Sequence, residues 1–411
     1  MRAYRSWGLV LLAAGLANCS FAFNAMRSST VPVTDSPLLQ KILKGPDFAR
    51  VMENPDRHRL QIILSQIDRS FGRPRLMHHS FRLRPREYFY PASLVKLPTA
   101  LLSAEKITSL HKHGITWDTP YDAEAVSCER TTGSVTHVSK PTIKDDITLS
   151  LAFSDNAAFD RLYSFTGPGY LTESLRSRGY PSIQITHRLG KRCSPQENRI
   201  THPVSFFRSD QPIFKQEPIA SEAYETNAEG ADVVIGYPGS GRSFGTLADF
   251  HWMTIAALLP EAVEPRARFQ ISDEMRAHIA AAMSLAPEDY AGPTAVDREA
   301  FTGSPLKFVL MGGGKERVPS AVRIFSKSGK ALGFLSETGL YLDQKSGVAF
   351  FLSATVYVNY LGSGEDADHH YEDIGLPFLR ALGERVLDAE RLRGGDPAIL
   401  EIFPTLARTG T

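Results

Sequence analysis

Residues 88–96 read Tyr88-Phe89-Tyr90-Pro91-Ala92-Ser93-Leu94-Val95-Lys96, and the rest of the chain is organised around them. Aromatic residues lead into Pro91, which marks a break; Ser93 follows, and Lys96 comes three residues later. If a helix begins near Ser93, three residues is about one turn, so Ser93 and Lys96 share a face. A serine hydroxyl is a poor nucleophile until a neighbour takes its proton. A lysine can do that only when neutral. Losing its proton at pH 7 costs an ordinary lysine roughly 4.6 kcal/mol, from a reference pKa near 10.4. Burial lowers a lysine pKa by up to about 3–5 units, which covers that cost. The Ser-Lys reading therefore demands a dry site with a second cation nearby. The spacing alone decides little, because Ser-x-x-Lys recurs at Ser103/Lys106 and Ser304/Lys307.

Two downstream triplets add weight. Ser154-Asp155-Asn156 lies between helical flanks marked by Leu149, Ala152, Phe153 and Ala157. On its own it reads as a turn or helix cap, since Asp and Asn tolerate irregular backbone. Lys327-Ser328-Gly329 directly follows an expected strand, Val322 to Phe325. A strand-borne cation can point into a cleft, and glycine allows a ligand close to the backbone. A second copy, Lys345-Ser346-Gly347, falls in an expected hairpin turn. That turn is reason enough for its presence, so the chemistry is assigned to Lys327.

Ser-x-x-Lys, Ser-Asp-Asn and Lys-Thr/Ser-Gly in this order resemble the three signatures of class A β-lactamases and penicillin-binding proteins. The similarity spans roughly Ser36 to Ala389. It implies Ser93 as the acylated nucleophile and Lys96 as its proton acceptor. It implies Ser154 as proton relay to the leaving nitrogen, with Lys327 assisting electrostatically. Asn156 would bind the substrate amide and Ser328 the substrate carboxylate. Gly329 would let the substrate lie close, and the N–H groups of Ser93 and Lys330 would form the oxyanion hole. Class A enzymes activate the deacylating water with a glutamate in Glu-x-x-Leu-Asn, and no such motif occurs between Asn156 and Gly245. Glu197 is the nearest candidate base, with a solvated loop carboxylate as its plainer reading. Thr201-His202-Pro203 is similar to the end of the family loop. The family's carboxylate-binding arginine after Lys327 is also missing, and Lys330 is the candidate substitute.

The wider sequence sets the compartment. With 411 residues, ordinary composition and a formal net charge of +1, nothing points to nucleic acid or an anionic membrane surface. Arg2 and Arg5 precede an apolar run from Gly8 to Ala17, too short to span a bilayer. Residues 1–22 thus read as an export signal cleaved after Ala22. A lipoprotein signal ending before Cys19, or a retained N-terminal anchor, are the alternatives. The expected location is exported, periplasmic or secreted. Cys128 and Cys193 then remain, either paired in an oxidising compartment or as separate buried thiols.

Ser36-Pro37 reads as a cap for a short helix ended by Gly45. Gln61–Asp68 and Leu76–Leu83 read as strands about a turn at Gly72-Arg73-Pro74. Pro98 is expected to bend the Ser93 helix or to confine it to its first turns. Lys106 to Ala286 looks mainly helical, with an irregular stretch from Val204 to Gly245 and a helix capped at Thr246. Val322–Phe325, Leu340–Leu342 and Val348–Val358 read as strands, and a last helix spans about Asp373–Ala389. The expected fold is α/β (α+β) and two-lobed. Residues 36–92 and 316–393 supply an antiparallel sheet with flanking helices, 93–315 an inserted helical lobe with an enlarged loop at 204–245, and 394–411 a tail. His78, His79 and His202 read as ordinary histidines; no metal or cofactor is expected. The expected substrate is a small β-lactam or a peptidoglycan stem peptide. A D,D-peptidase, or a penicillin-binding sensor or pseudoenzyme, stands as the alternative to a β-lactam hydrolase.

Overall fold

A computed structural model describes residues 31–68, 74–124, 127–130, 140–222, 242–292, 303–359, 369–403 and 406. The expected export signal, Cys19, Gly72-Arg73 and residues 223–241 of the expected enlarged loop lie outside them. The helices are α1 (Pro37–Ile42), α2 (Ala49–Met52), α3 (Lys96–Thr108), α4 (Ile143–Ala152), α5 (Asn156–Thr166), α6 (Pro168–Ser177), α7 (Pro195–Asn198), α8 (Leu247–Leu258), α9 (Asp273–Ser284) and α10 (Leu376–Arg393). The strands are β1 (Gln61–Asp68), β2 (Arg75–Phe81), β3 (Tyr121–Ala123), β4 (Glu129–Arg130), β5 (Lys191–Arg192), β6 (Val204–Arg208), β7 (Gln211–Gln216), β8 (Val322–Ala331), β9 (Phe334–Asp343) and β10 (Val348–Tyr357). Among the described residues no helix is long and apolar enough to cross a membrane.

The main sheet runs β2-β1-β10-β9-β8, antiparallel throughout. Both ends of the chain therefore build one sheet. Its inner strands are covered on both faces, so β9 and β10 are buried along their whole length, and β10 reads as a near-continuous apolar run. Alternation sorts the faces. Ile62, Leu64, Phe350 and Leu352 meet α1 and α10 through Leu39, Phe378, Leu379 and Leu382. Ile63, Phe351, Leu340 and Phe325 join α3, α4, α5, α8 and α9 in the other core. A buried polar chain fixes α8 to the sheet. Ser65 Oγ lies 2.7 Å from His251 Nε2, His251 Nδ1 lies 2.8 Å from Ser353 Oγ, and Ser353 Oγ lies 2.7 Å from Thr338 Oγ1.

Several sequence expectations need correction. Val204 to Gly245 is not irregular at its start: β6 and β7 form a hairpin that pairs with β3, because Val204 and Phe206 face the core. The strand before Lys327 does not end at Phe325 but continues to Ala331, so the triplet sits inside β8. Pro98 neither bends nor shortens its helix. It occupies the first turn of α3, where its missing N–H breaks no helical bond. The last helix starts at Leu376 after a wide turn at Tyr371–Gly375 and continues to Arg393. Beyond it, Ile399 and Phe403 are buried in the core rather than trailing away.

Candidate active site

The aromatic lead-in is an anchor. Tyr88, Phe89 and Tyr90 are all buried. Tyr88 stacks on Phe244, Phe89 packs edge-on against Phe250 and Phe334, and the Tyr90 hydroxyl lies 2.9 Å from His187 Nε2. With its approach so fixed, the chain passes Pro91 into a tight turn over Ala92–Val95 that carries Ser93, and α3 begins at Lys96. Ala92 holds a φ of 46° and Ser154 a φ of 54°. A non-glycine residue in this left-handed region costs of order 1–3 kcal/mol, and such strain clusters at functional sites. Here it falls beside the nucleophile and on the first residue of the second triplet.

Lys96 draws the pieces together. Its Nζ donates to Ser93 Oγ at 3.0 Å, to Ser154 Oγ at 3.1 Å, to Asn156 Oδ1 at 2.7 Å and to the Ser154 carbonyl. Lys327 Nζ donates to the same Ser154 Oγ at 3.0 Å and to the Ser328 carbonyl at 2.9 Å. Both lysine side chains are buried. Burial lowers the Lys96 pKa to about 7, against the opposing pull of Asp155 and Asp160. Lys327 is held well below the ordinary lysine value by burial, then by the charges of Lys96 and Lys307. Two ammonium groups on one hydroxyl in a dry site repel strongly, so the Lys96–Lys327 pair shares its proton across Ser154.

The third triplet reaches the first by close approach. A Cβ added to Gly329 would stand 2.4 Å from the Pro91 carbonyl oxygen and 3.3 Å from Ala92 Cβ. Only glycine lets β8 touch the turn that carries Ser93. Ser328 is buried, and its Oγ donates to the Leu306 carbonyl at 2.8 Å. Lys330 does not fill the place of the missing arginine: its Nζ lies 3.5 Å from Glu372 and 5.5 Å from the centre of the Tyr371 ring.

Glu197 also has other work. Its carboxylate accepts the Ser194 N–H at 2.7 Å, while Ser194 Oγ accepts the Glu197 N–H, a capping box on the single turn of α7. That bond lowers its pKa and leaves the group in solvent. The other copies of the motifs are structural too. Lys106 Nζ closes the carbonyl end of α5 at Thr166, and Ser103 Oγ bonds Thr166 Oγ1. Asp343 accepts the N–H of Lys345 and the hydroxyl of Ser346 in the β9–β10 turn.

Four neighbours hold places that the sequence did not assign to them. Lys307 is buried against the Met283 carbonyl and Ser326 Oγ, with its pKa lowered to about 8 by burial; Glu337, also buried, faces it. Arg188 is buried and ties residues 188–200 together through the carbonyls of Glu197 and Ile200. Asp160, one turn after Asn156 on α5, accepts the N–H groups of Leu189 and Gly190 at 2.8 and 3.1 Å. Its spacing from Asn156 was the available signal. Cys128 and Cys193 are joined as a disulfide that ties the β4 and β5 segments.

Residues 76–216 match the model of the β-lactamase enzyme family. The fold agrees with a β-lactamase from Sphaerobacter thermophilus at a TM-score of 0.50 and 14% identity, covering 84% of this chain and 96% of that one. The fold is that of a β-lactamase. Two further structures resemble this chain less closely. One is L2 complexed with relebactam, with TM-score 0.48, 16% identity and coverage of 86% and 97% of the two chains. The other is a β-lactamase from Xanthomonas campestris, with TM-score 0.47, 18% identity and coverage of 83% and 97%. Among curated proteins, none matches the sequence significantly.

Proposed function

We propose that this protein is a serine hydrolase that opens β-lactam amides through an acyl-Ser93 intermediate. One observation carries the reading: a dry lysine with a pKa near 7 whose Nζ lies 3.0 Å from Ser93 Oγ and 3.1 Å from Ser154 Oγ. The steps follow from that geometry. Neutral Lys96 takes the Ser93 proton, and Oγ attacks the lactam carbonyl carbon. The backbone N–H groups of Ser93 and Lys330 receive the oxyanion; one such donor is worth on the order of 2.7–4 kcal/mol. The C–N bond breaks, and the ring nitrogen takes the Ser154 proton, which the shared proton of Lys96 and Lys327 replaces. Asn156, its amide oxygen turned to Lys96, orients the substrate amide. Ser328 and Gly329 line the β8 side. The disulfide fits an exported, periplasmic or secreted protein, where such bonds persist.

A second reading is a D,D-peptidase on cell-wall peptides. It is favoured by the capping role of Glu197, which takes away the carboxylate first named for deacylation. Intact-mass spectrometry during exposure to penicillin and nitrocefin separates the readings. Fast nitrocefin turnover with a transient adduct supports the hydrolase. A long-lived penicilloyl adduct together with D-alanine release from stem peptide supports the peptidase. No adduct at all overturns both and leaves a binding module.

A further inference from the structure

We propose that Asp160 is the carboxylate that takes the proton of the water releasing the acyl group from Ser93. This rests on the acyl-Ser93 reading above. Ser93, Ser154, Asn156, Asp160 and Gly190 are each partly exposed, and Asp160 is the carboxylate among them. It follows Asn156 by four residues on α5, so both side chains share a face, roughly 5–6 Å apart at Cβ. Lys96 Nζ sits 2.7 Å from Asn156 Oδ1 and 3.0 Å from Ser93 Oγ. Asp160 and Lys96 feel each other's charge, which places the carboxylate on the Lys96 side of Ser93.

Both carboxylate oxygens are held. Oδ1 accepts the Leu189 N–H and Oδ2 the Gly190 N–H, and each keeps a further lone pair for water. Position 190 must be glycine for this approach, since an added Cβ would stand 2.9 Å from Asp160 Oδ2. No side chain from that position stands between Asp160 and the cleft.

The charges around Asp160 come from several elements. Lys96 faces it from α3 and Arg188 from the segment after α6, while Asp155 at the cap of α5 acts on Lys96. His187 is buried and neutral near pH 7, with its pKa lowered to about 3 by burial. Arg161 on α5 is occupied by Asp146 of α4. Lys327 faces Lys96 from β8, with Lys307 and Glu337 behind it. In this setting burial pushes the Asp160 carboxyl up to about 6, the range of a working general base.

The step balances. Water gives a proton to the Asp160 carboxylate, and its oxygen bonds to the ester carbon. The C–Oγ bond breaks, Ser93 Oγ takes a proton from Lys96, and protonated Asp160 restores the proton to Lys96. The product leaves as the acid, and the site returns to its starting state.

The test is an intact-mass time course with penicillin on wild type, Asp160→Asn and Asp160→Ala, the last with and without added formate. Asp160→Asn is expected to acylate within about tenfold of wild type and to deacylate at least about 100-fold more slowly. Formate is expected to restore deacylation of Asp160→Ala, an effect that a merely structural aspartate would not show. Deacylation of wild type is expected to rise with pH through about 6, distinct from acylation, which rises through about 7. Wild-type deacylation by Asp160→Asn would overturn the assignment, as would equal losses in both steps with no response to formate. Absence of any wild-type adduct would instead overturn the acyl-Ser93 reading itself.

Discussion

Gly329→Ala probes the junction on which the site depends. The added Cβ would lie 2.4 Å from the Pro91 carbonyl oxygen and 3.1 Å from Ser336 Oγ. Relaxed contacts need about 3.5 Å, so β8 and the Ser93 turn must part by roughly 1 Å. The obstacle is backbone carbonyl, so no side-chain rotation relieves it. A 1 Å misplacement can cost about 100-fold in rate, equivalent to about 2.7 kcal/mol. Overpacking costs a further 1–3 kcal/mol of stability, typically. The assay pairs the acylation rate constant, from stopped-flow nitrocefin or intact mass, with a thermal melt. The expected variant remains folded, melts a few degrees lower and acylates about 100-fold more slowly. A folded Gly329→Ala protein acylating at the wild-type rate would refute the claim that the β8 approach positions the chemistry.

Two other perturbations have clear expected outcomes. Lys327→Ala is expected to slow acylation by at least about 100-fold, since it removes the donor to the relay hydroxyl, whereas Lys345→Ala should leave the rate near wild type; steady-state nitrocefin kinetics ranks them. Cys128→Ser opens a cross-link spanning a sequence separation of 65 residues, for which chain entropy sets an upper loss of about 4 kcal/mol; denaturant melts of oxidised and reduced protein measure it, and non-reducing peptide maps confirm the pairing.

The parts of the fold that were legible are those with strong local rules. The apolar runs of β1 and β10 and the capping serine of α1 announced themselves because period and cap chemistry are written in neighbouring residues. The hairpin of β6 and β7 was missed because Pro212 and the polar Lys215 and Gln216 mask its pattern on a partly exposed pair. Its cause is tertiary: Phe206 stacks on Tyr121 of a strand more than eighty residues away. The extent of β8 was underestimated for a similar reason. Ser326, Lys327, Ser328 and Gly329 carry little strand propensity, and pairing with β9 decides their state.

At the site, the three triplets were visible because their order is a signature, but their environment was not. That Lys96 is dry depends on tertiary packing, with Ser154 and Asn156 brought to it across some sixty residues of sequence. That Glu197 caps its own helix became clear only once Ser194 was seen three residues before it. Lys307 appeared as a chance copy of the Ser-x-x-Lys spacing. Folding puts it behind Lys327, where its charge adds to burial and Lys96 in lowering the pKa of that amine.

The central claim is that a neutral, buried Lys96 activates Ser93. Its most direct test is peptide-level localisation of the penicilloyl group, with the acylation rate followed from pH 5 to pH 9. The account predicts the adduct on Ser93 and a rate rising about tenfold per pH unit up to about pH 7, then levelling. An adduct on Ser103 or Ser304, or a rate that stays flat until the pH of an ordinary lysine is reached, would contradict it.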